Sequence, residues 1–278
     1  DYVKPRSMEE ALDILGKNPN GKVKVYAGGT DVIPRLKGRL ISAPETLVNL
    51  KGIPDLDYIR YDPGQGLRIG SLATIRSVAA SSVVRDKYPI LAEGANSIAA
   101  TQIQNRGTIA GNICSAVPSA DSAPALLCLG AKLLCAGLDG DRTIPIDDFF
   151  VAPNVTALKP TEILKEIQIP DMGEKARGRY LKLSTRGRME LAVVGVGAVV
   201  SLEDGTFQDV RIGLGAVAPT PMRAREAEEF LKGGKADEKR ILGGARRASK
   251  ESSPIDDHRA SGAYRRMMVE VLVRRAIT

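Results

Sequence analysis

The chain has no tryptophan, aromatic residues make up 4% of it, and one histidine and three cysteines serve all 278 residues. Each scarcity closes a class of function. Platforms that stack bases need aromatic rings. The basic residues give a formal charge of +7, but they are spread along the chain rather than gathered into the patch that nucleic acid requires. Nucleic-acid binding is not expected. His258 lies in a polar C-terminal run with no nucleophile motif, so neither a Ser-His-Asp nor a Cys-His site can be assembled around it. It reads as a structural or surface residue, and an all-protein zinc site is not expected. Cys114, Cys128 and Cys135 contain no C-x-x-C pair and fall short of the four thiolates of a usual iron–sulfur cluster. They read as small buried hydrophobes. No apolar run is long enough to span a bilayer and no signal-like N-terminus is present, which points to a cytoplasmic protein.

What remains is ordinary globular composition, 43% hydrophobic and 26% charged, at a length that suits two domains. Helical spacing at Ala11-Leu12 and Ile14-Leu15 is followed by a strand-like run Val23–Tyr26, an amphipathic segment Val32–Leu36 and a second strand Thr46–Leu50. That alternation predicts a βαβ-like lobe. Dense punctuation at Asp62-Pro63-Gly64-Gln65-Gly66 predicts a turn between two strands of a second lobe. The same lobe carries helices near Thr74–Ala80 and Pro89–Ile98, a helix opening at Asp121-Ser122-Ala123-Pro124, and strands at Ala131–Ala136 and Glu162–Ile169. Beyond a polar stretch at Pro170–Arg179 the pattern changes. Strands Leu191–Leu202 and Phe207–Val217 are joined at Glu203-Asp204-Gly205-Thr206, a hairpin signal because Asp-Gly supplies positive φ. Helical patterns at Arg223–Leu231, Glu238–Lys250 and Ser261–Ile277 follow. Gly213-Leu214-Gly215-Ala216-Val217-Ala218 has the spacing of a dinucleotide fingerprint, but that motif must open a helix. Pro219 and Pro221 forbid one here, so the segment is a glycine-containing strand.

Two glycine turns carry the chemistry. At Val25-Tyr26-Ala27-Gly28-Gly29-Thr30-Asp31-Val32 a strand stops at paired glycines, where successive N–H groups can converge on a phosphate oxygen. Asp31 would repel phosphate directly, so it either braces the loop or caps the following helix. Downstream, Thr108-Ile109-Ala110-Gly111-Asn112 forms an opposing loop in which Asn112 offers both donor and acceptor. Asp121 follows nine residues after Asn112; it can accept from ribitol or ribose hydroxyls or serve as an N-cap.

The order Ala-Gly-Gly-Thr-Asp, then Thr-Ile-Ala-Gly-Asn-Ile-Cys, then Asp121, with Asp257-His258-Arg259-Ala260-Ser261-Gly262-Ala263-Tyr264-Arg265-Arg266 at the far end, resembles the FAD-binding medium subunits of the molybdenum hydroxylases, the family of xanthine and carbon monoxide dehydrogenases. The resemblance implies an α+β fold. A two-lobed FAD-binding domain of the vanillyl-alcohol oxidase type would span 1–172, with lobes at about 1–58 and 59–172, and a smaller α+β domain would span 173–278. It implies non-covalent FAD. It also implies molybdopterin on a large partner subunit, 2Fe–2S clusters on a small one, a dimer of heterotrimers, and an acceptor such as NAD, a quinone or oxygen. By local similarity Leu164 lines the adenine or flavin pocket, and Lys182 lies near the isoalloxazine ring, where a cation favours the reduced form. Ile98 stands where some relatives carry an aromatic over the flavin. A stand-alone flavin oxidoreductase of the same fold and a scaffold subunit that has lost FAD are the alternatives.

Overall fold

The chain is described by a computed structural model covering residues 1–18, 22–187 and 189–278. The first lobe runs β1 (Tyr2–Val3), α1 (Met8–Gly16), β2 (Val23–Tyr26), α2 (Val32–Lys37) and β3 (Thr46–Asn49). Ser7 opens α1 by accepting the Glu10 amide, and Ala11, Leu12 and Leu15 form its buried stripe. The three strands are parallel in the order β1-β3-β2. The Gly28-Gly29 turn therefore leaves the carboxyl end of a parallel strand, the end where open α/β sheets receive ligands.

The second lobe contains β4 (Ile59–Asp62), β5 (Gly66–Gly70), α3 (Ile75–Ala80), α4 (Ser82–Lys87), α5 (Pro89–Asn96), α6 (Thr101–Gln104), α7 (Ile109–Cys114) and α8 (Ser122–Leu129). It continues through β6 (Lys132–Ala136), β7 (Arg142–Pro145), the small hairpin β8 (Phe150–Ala152) and β9 (Val155–Thr156), and β10 (Ile163–Ile169). Its five-stranded sheet has the order β4-β5-β10-β6-β7 and is antiparallel throughout. Every residue of α8 is buried. That follows from its Ala-Pro-Ala-Leu-Leu-Cys-Leu sequence, which offers no polar face.

The third unit is a meander, β11 (Ala176–Leu183), β12 (Val194–Glu203), β13 (Thr206–Gly215) and β14 (Met222–Arg223), followed by α9 (Arg225–Leu231), α10 (Glu238–Glu251) and α11 (Gly262–Ile277). The expected hairpin is present, with Asp204 and Gly205 at φ 49° and 71°. Strand β13 ends where Ala216 enters the left-handed region, so no helix follows the glycine pair. These three helices cover one face of the meander, around Val196, Ile212, Leu214 and Val269. Asp257, from the C-terminal run, accepts the amides of Arg259 and Ala260 and the guanidinium of the buried Arg265, which also reaches the carbonyls of Val193 and Ala216. The motif thus clips α11 to the sheet.

The other face of the meander lies on α5 and α8 of the second lobe. Tyr180 and Val199 belong to that lobe's core. Close approach explains the glycines that imitate a nucleotide fingerprint. A Cβ on Gly213 would stand 2.4 Å from the Pro124 carbonyl oxygen, and one on Gly197 would stand 3.0 Å from it. Gly213→Val should therefore push α8 off the sheet and destabilise the chain by about 1–3 kcal/mol, the usual cost of overpacking. A fall in the urea unfolding midpoint at unchanged slope is the expected observation.

Candidate functional site

The two glycine turns meet. Gly28 lies against the backbone before the second turn, where a Cβ would come within 2.1 Å of the Arg106 carbonyl oxygen. Gly29 adopts φ +77°, a conformation that L side chains rarely take, with the Tyr26 ring and Ile33 packed beside it. Among the described residues, the amides of Gly29, Thr30, Asp31 and Val32 find no acceptor in the chain. Four neighbouring donors left unpaired at a half-buried turn form an anion-binding concavity, which fits a pyrophosphate. Thr30 reaches across to the second turn, its Oγ1 standing 3.1 Å from a Cβ placed on Gly107. A cleft of about 380 Å³ opens where the lobes join, walled by Ala27, Gly28 and Thr108 together with Lys51, Thr74 and Arg106.

The second turn is not the expected loop but the short helix α7. Thr108 is its N-cap and accepts the Gly111 amide at 2.9 Å, while Ile109, Ala110 and Ile113 face the core. An apolar pair at i and i+4 behind a threonine cap is enough to wind one turn and a half. Asn112 sits on the same helix and accepts from Ser122 Oγ at 2.6 Å. Asp31 stands at the start of α2 but makes no capping bond. It braces instead, accepting from Ser115 Oγ at 2.5 Å across the gap between lobes. One carboxylate therefore ties the two turns together.

Asp121 does not cap α8 either; the helix start has no side-chain cap bond. Its carboxylate is buried and turned toward the third unit, where it accepts from Tyr180 Oη at 2.7 Å and from Lys182 Nζ at 2.7 Å. The ammonium also donates to the Ser97 carbonyl at 3.0 Å. Burial pushes the Asp121 carboxyl up from its ordinary range, against the opposing pull of the Lys182 charge and the two hydrogen bonds. Burial first, then the Asp121 charge, holds the Tyr180 hydroxyl well above its usual value, so it remains a donor. Lys182 is an enclosed cation, its side chain 10% exposed.

Of the remaining candidates Ala27 lines the cleft, whereas Val25, Tyr26, Ile98 and Leu164 do not. Val25, Tyr26 and Ala27 are half-buried on the way into the first turn, and Lys51 lies over the Tyr26 ring at 4.9 Å. Leu164 and Ile98 are core residues of the second lobe. The Ile98 carbonyl accepts from the buried Gln104 side chain. Cys114 closes α7 and is half-buried rather than buried as Cys128 and Cys135 are; desolvation pushes its thiol up to about 12. Sequence reasoning missed Ser115, Ser97 and Tyr180 as partners in the site. Only Tyr180 had a signal: Tyr180 and Lys182 are two apart on a strand and so share a face.

A family profile described as the FAD binding domain in molybdopterin dehydrogenase matches residues 1–172, and one described as the CO dehydrogenase flavoprotein C-terminal domain matches residues 179–278. The chain belongs to this family. It is a flavoprotein subunit of the oxidoreductase class. The carbon monoxide dehydrogenase medium chain of Afipia carboxidovorans is 33% identical over 100% of this chain and 95% of the relative. The glyceraldehyde dehydrogenase medium chain of Sulfolobus acidocaldarius is 30% identical over 99% of this chain and 96% of its own. Among solved structures, carbon monoxide dehydrogenase from Hydrogenophaga pseudoflava superposes with a TM-score of 0.95 at 33% identity, covering 100% of this chain and 95% of that one. Quinoline 2-oxidoreductase from Pseudomonas putida 86 superposes at 0.91 with 27% identity, covering 100% and 95%. The molybdenum hydroxylase flavoprotein fold is thus present from end to end.

Lys182→Met keeps the length of the side chain and strands the Asp121 carboxylate. Removing one partner of a buried pair costs about 3 kcal/mol or more. The variant should therefore unfold at markedly lower urea, and adding Asp121→Asn should recover most of the loss. A cycle of the four proteins by equilibrium unfolding checks both.

Proposed function

We propose that this chain is the FAD-holding electron-transfer subunit of a heteromeric molybdenum hydroxylase, receiving electrons from 2Fe–2S clusters on a small subunit and delivering them to an external acceptor. Molybdopterin belongs to a large partner subunit, and three such chains form a heterotrimer that pairs with a second. NAD, a quinone or oxygen is the acceptor, and the complex works in the cytoplasm. The observation that carries the reading is the pair of backbone-packed glycine turns with four unpaired amides. The full-length likeness to medium chains of dehydrogenases supports the partners. The ranges of the two matching profiles support a boundary near 172. Among the described residues no helix is long and apolar enough to cross a membrane.

FAD would supply a carrier that can take up electrons singly from one-electron clusters and hand them on in pairs. Residues of this chain do the rest. The amides from Gly29 to Val32 bind the pyrophosphate, and the Thr30 hydroxyl joins them. The first turn of α7, from Thr108 to Asn112, closes over it from the second lobe. Asp121 keeps spare acceptor positions for sugar hydroxyls, since each carboxylate oxygen has room for more than one donor. Lys182 presents a fixed positive charge toward the isoalloxazine end. Ala27 would exclude water at the cleft wall, with Val25 and Tyr26 leading into the turn and Ile98 and Leu164 packed in the second lobe's core.

The test is reconstitution. The purified full chain should carry FAD, and its flavin should stay oxidised when the organic substrate of the complex is added alone. Mixing in the molybdenum and iron–sulfur subunits should restore substrate-driven bleaching of the flavin band. Rapid bleaching by substrate in the isolated chain, with no metal present, would show a self-sufficient oxidoreductase instead. A chain that binds no FAD at all would be a scaffold.

Gly29→Val forces a β-branched residue into φ +77° beside the Tyr26 ring. Flavin content after purification should collapse while the far-ultraviolet circular dichroism stays that of the folded chain.

A further inference from the structure

Tyr180 is 5% exposed and sits at the junction of three elements. Its hydroxyl donates to Asp121 Oδ1 at the start of α8, and its amide donates to Glu93 Oε2 on α5 at 2.6 Å. Two residues on, along the same face of β11, Lys182 takes the other oxygen of the same carboxylate. The neighbouring strand is cut away to admit the hydroxyl, for a Cβ on Gly195 would stand 2.6 Å from Tyr180 Oη. The carboxylate is thus held at both oxygens, by a neutral donor on one and by the ammonium on the other. Its second oxygen then fixes where the ammonium stands.

We infer that Tyr180 is a positioning residue of the cofactor site, its hydroxyl locking the Asp121 carboxylate so that Asp121 and Lys182 present one fixed arrangement to FAD. The inference rests on the proposed FAD-holding role and concerns a residue that does not itself touch the cofactor. The groups facing Asp121 are Tyr180 and Lys182 from β11 and the Ser97 carbonyl from the end of α5, with Glu93 one hydrogen bond further out on the Tyr180 amide. Asp121 is the group among them whose protonation would undo the arrangement. FAD affinity should therefore weaken as pH falls through the Asp121 titration. The hydroxyl bond favours the ionised carboxylate, so its removal should move that loss to higher pH.

The experiment titrates FAD onto the deflavinated full chain across a pH series, following flavin fluorescence. For Tyr180→Phe the midpoint of the affinity profile should rise by about one pH unit, the shift expected for losing a hydrogen bond to a charged group. Gly195→Ala, which displaces the hydroxyl without deleting it, should shift the profile in the same direction and stands in should Tyr180→Phe fail to fold. In an Asp121→Asn background neither substitution should shift the profile. A tyrosine that merely packs would lower thermal stability and leave the midpoint in place. Coincident profiles for wild type and variants, or an equal shift that persists with Asp121→Asn, would overturn the inference and leave the FAD-holding role intact. A wild-type chain that fails to bind FAD would overturn both.

Discussion

A carboxylate enclosed in protein must meet a cation or give up its charge, and Asp121 meets its cation from the other part of the chain. The ion pair with Lys182 spans 61 residues and joins the start of α8 to β11. Much of the arrangement serves that meeting. Helix α8 has to lie flat on the meander for its first residue to reach β11. It can do so only because Gly197 and Gly213 leave room for the Pro124 backbone. Strand β11 has to run beside the end of α5, and Glu93 and Ser97 hold it there through the Tyr180 amide and the Lys182 ammonium. Three elements packed by apolar contact are brought into register by one charge.

The first lobe obeys a different constraint. Its glycine turn is positioned by contact between backbones, Gly28 against the Arg106 carbonyl, and by the single bridge from Ser115 to Asp31. Charge plays a smaller part. Residues 1–172 hold 19 Lys and Arg against 19 Asp and Glu, while residues 173–278 hold 21 against 14. The whole excess of +7 therefore lies outside the half that carries the glycine turns. The first glycine turn offers oriented amides in a part of the chain with no net charge.

These two constraints also explain what the sequence disclosed. The hairpin at Asp204-Gly205 was legible because its conformation is decided by the two residues themselves. The paired glycines at 28 and 29 were legible for the same reason. The helix at α7 was not, since six residues offer too little periodicity to distinguish a turn of helix from a loop. Asp121 looked like a cap because a capping residue is judged from its own neighbours. Its actual partners lie 59 and 61 residues away. Lys182 was placed only by likeness to relatives, because nothing local to it announces a buried anion. Local chemistry was readable, and long-range pairing was not.

The position of Tyr180 and Lys182 on β11 has a consequence for the order of synthesis. Both glycine turns and Asp121 leave the ribosome before the strand that supplies the partners of Asp121. Until residue 182 has emerged and the meander has begun to fold onto α8, the Asp121 carboxylate has no counter-charge. Pairing of the Asp121 carboxylate is therefore a late event in the growing chain, set by the arrival of its second part rather than by the folding of its first.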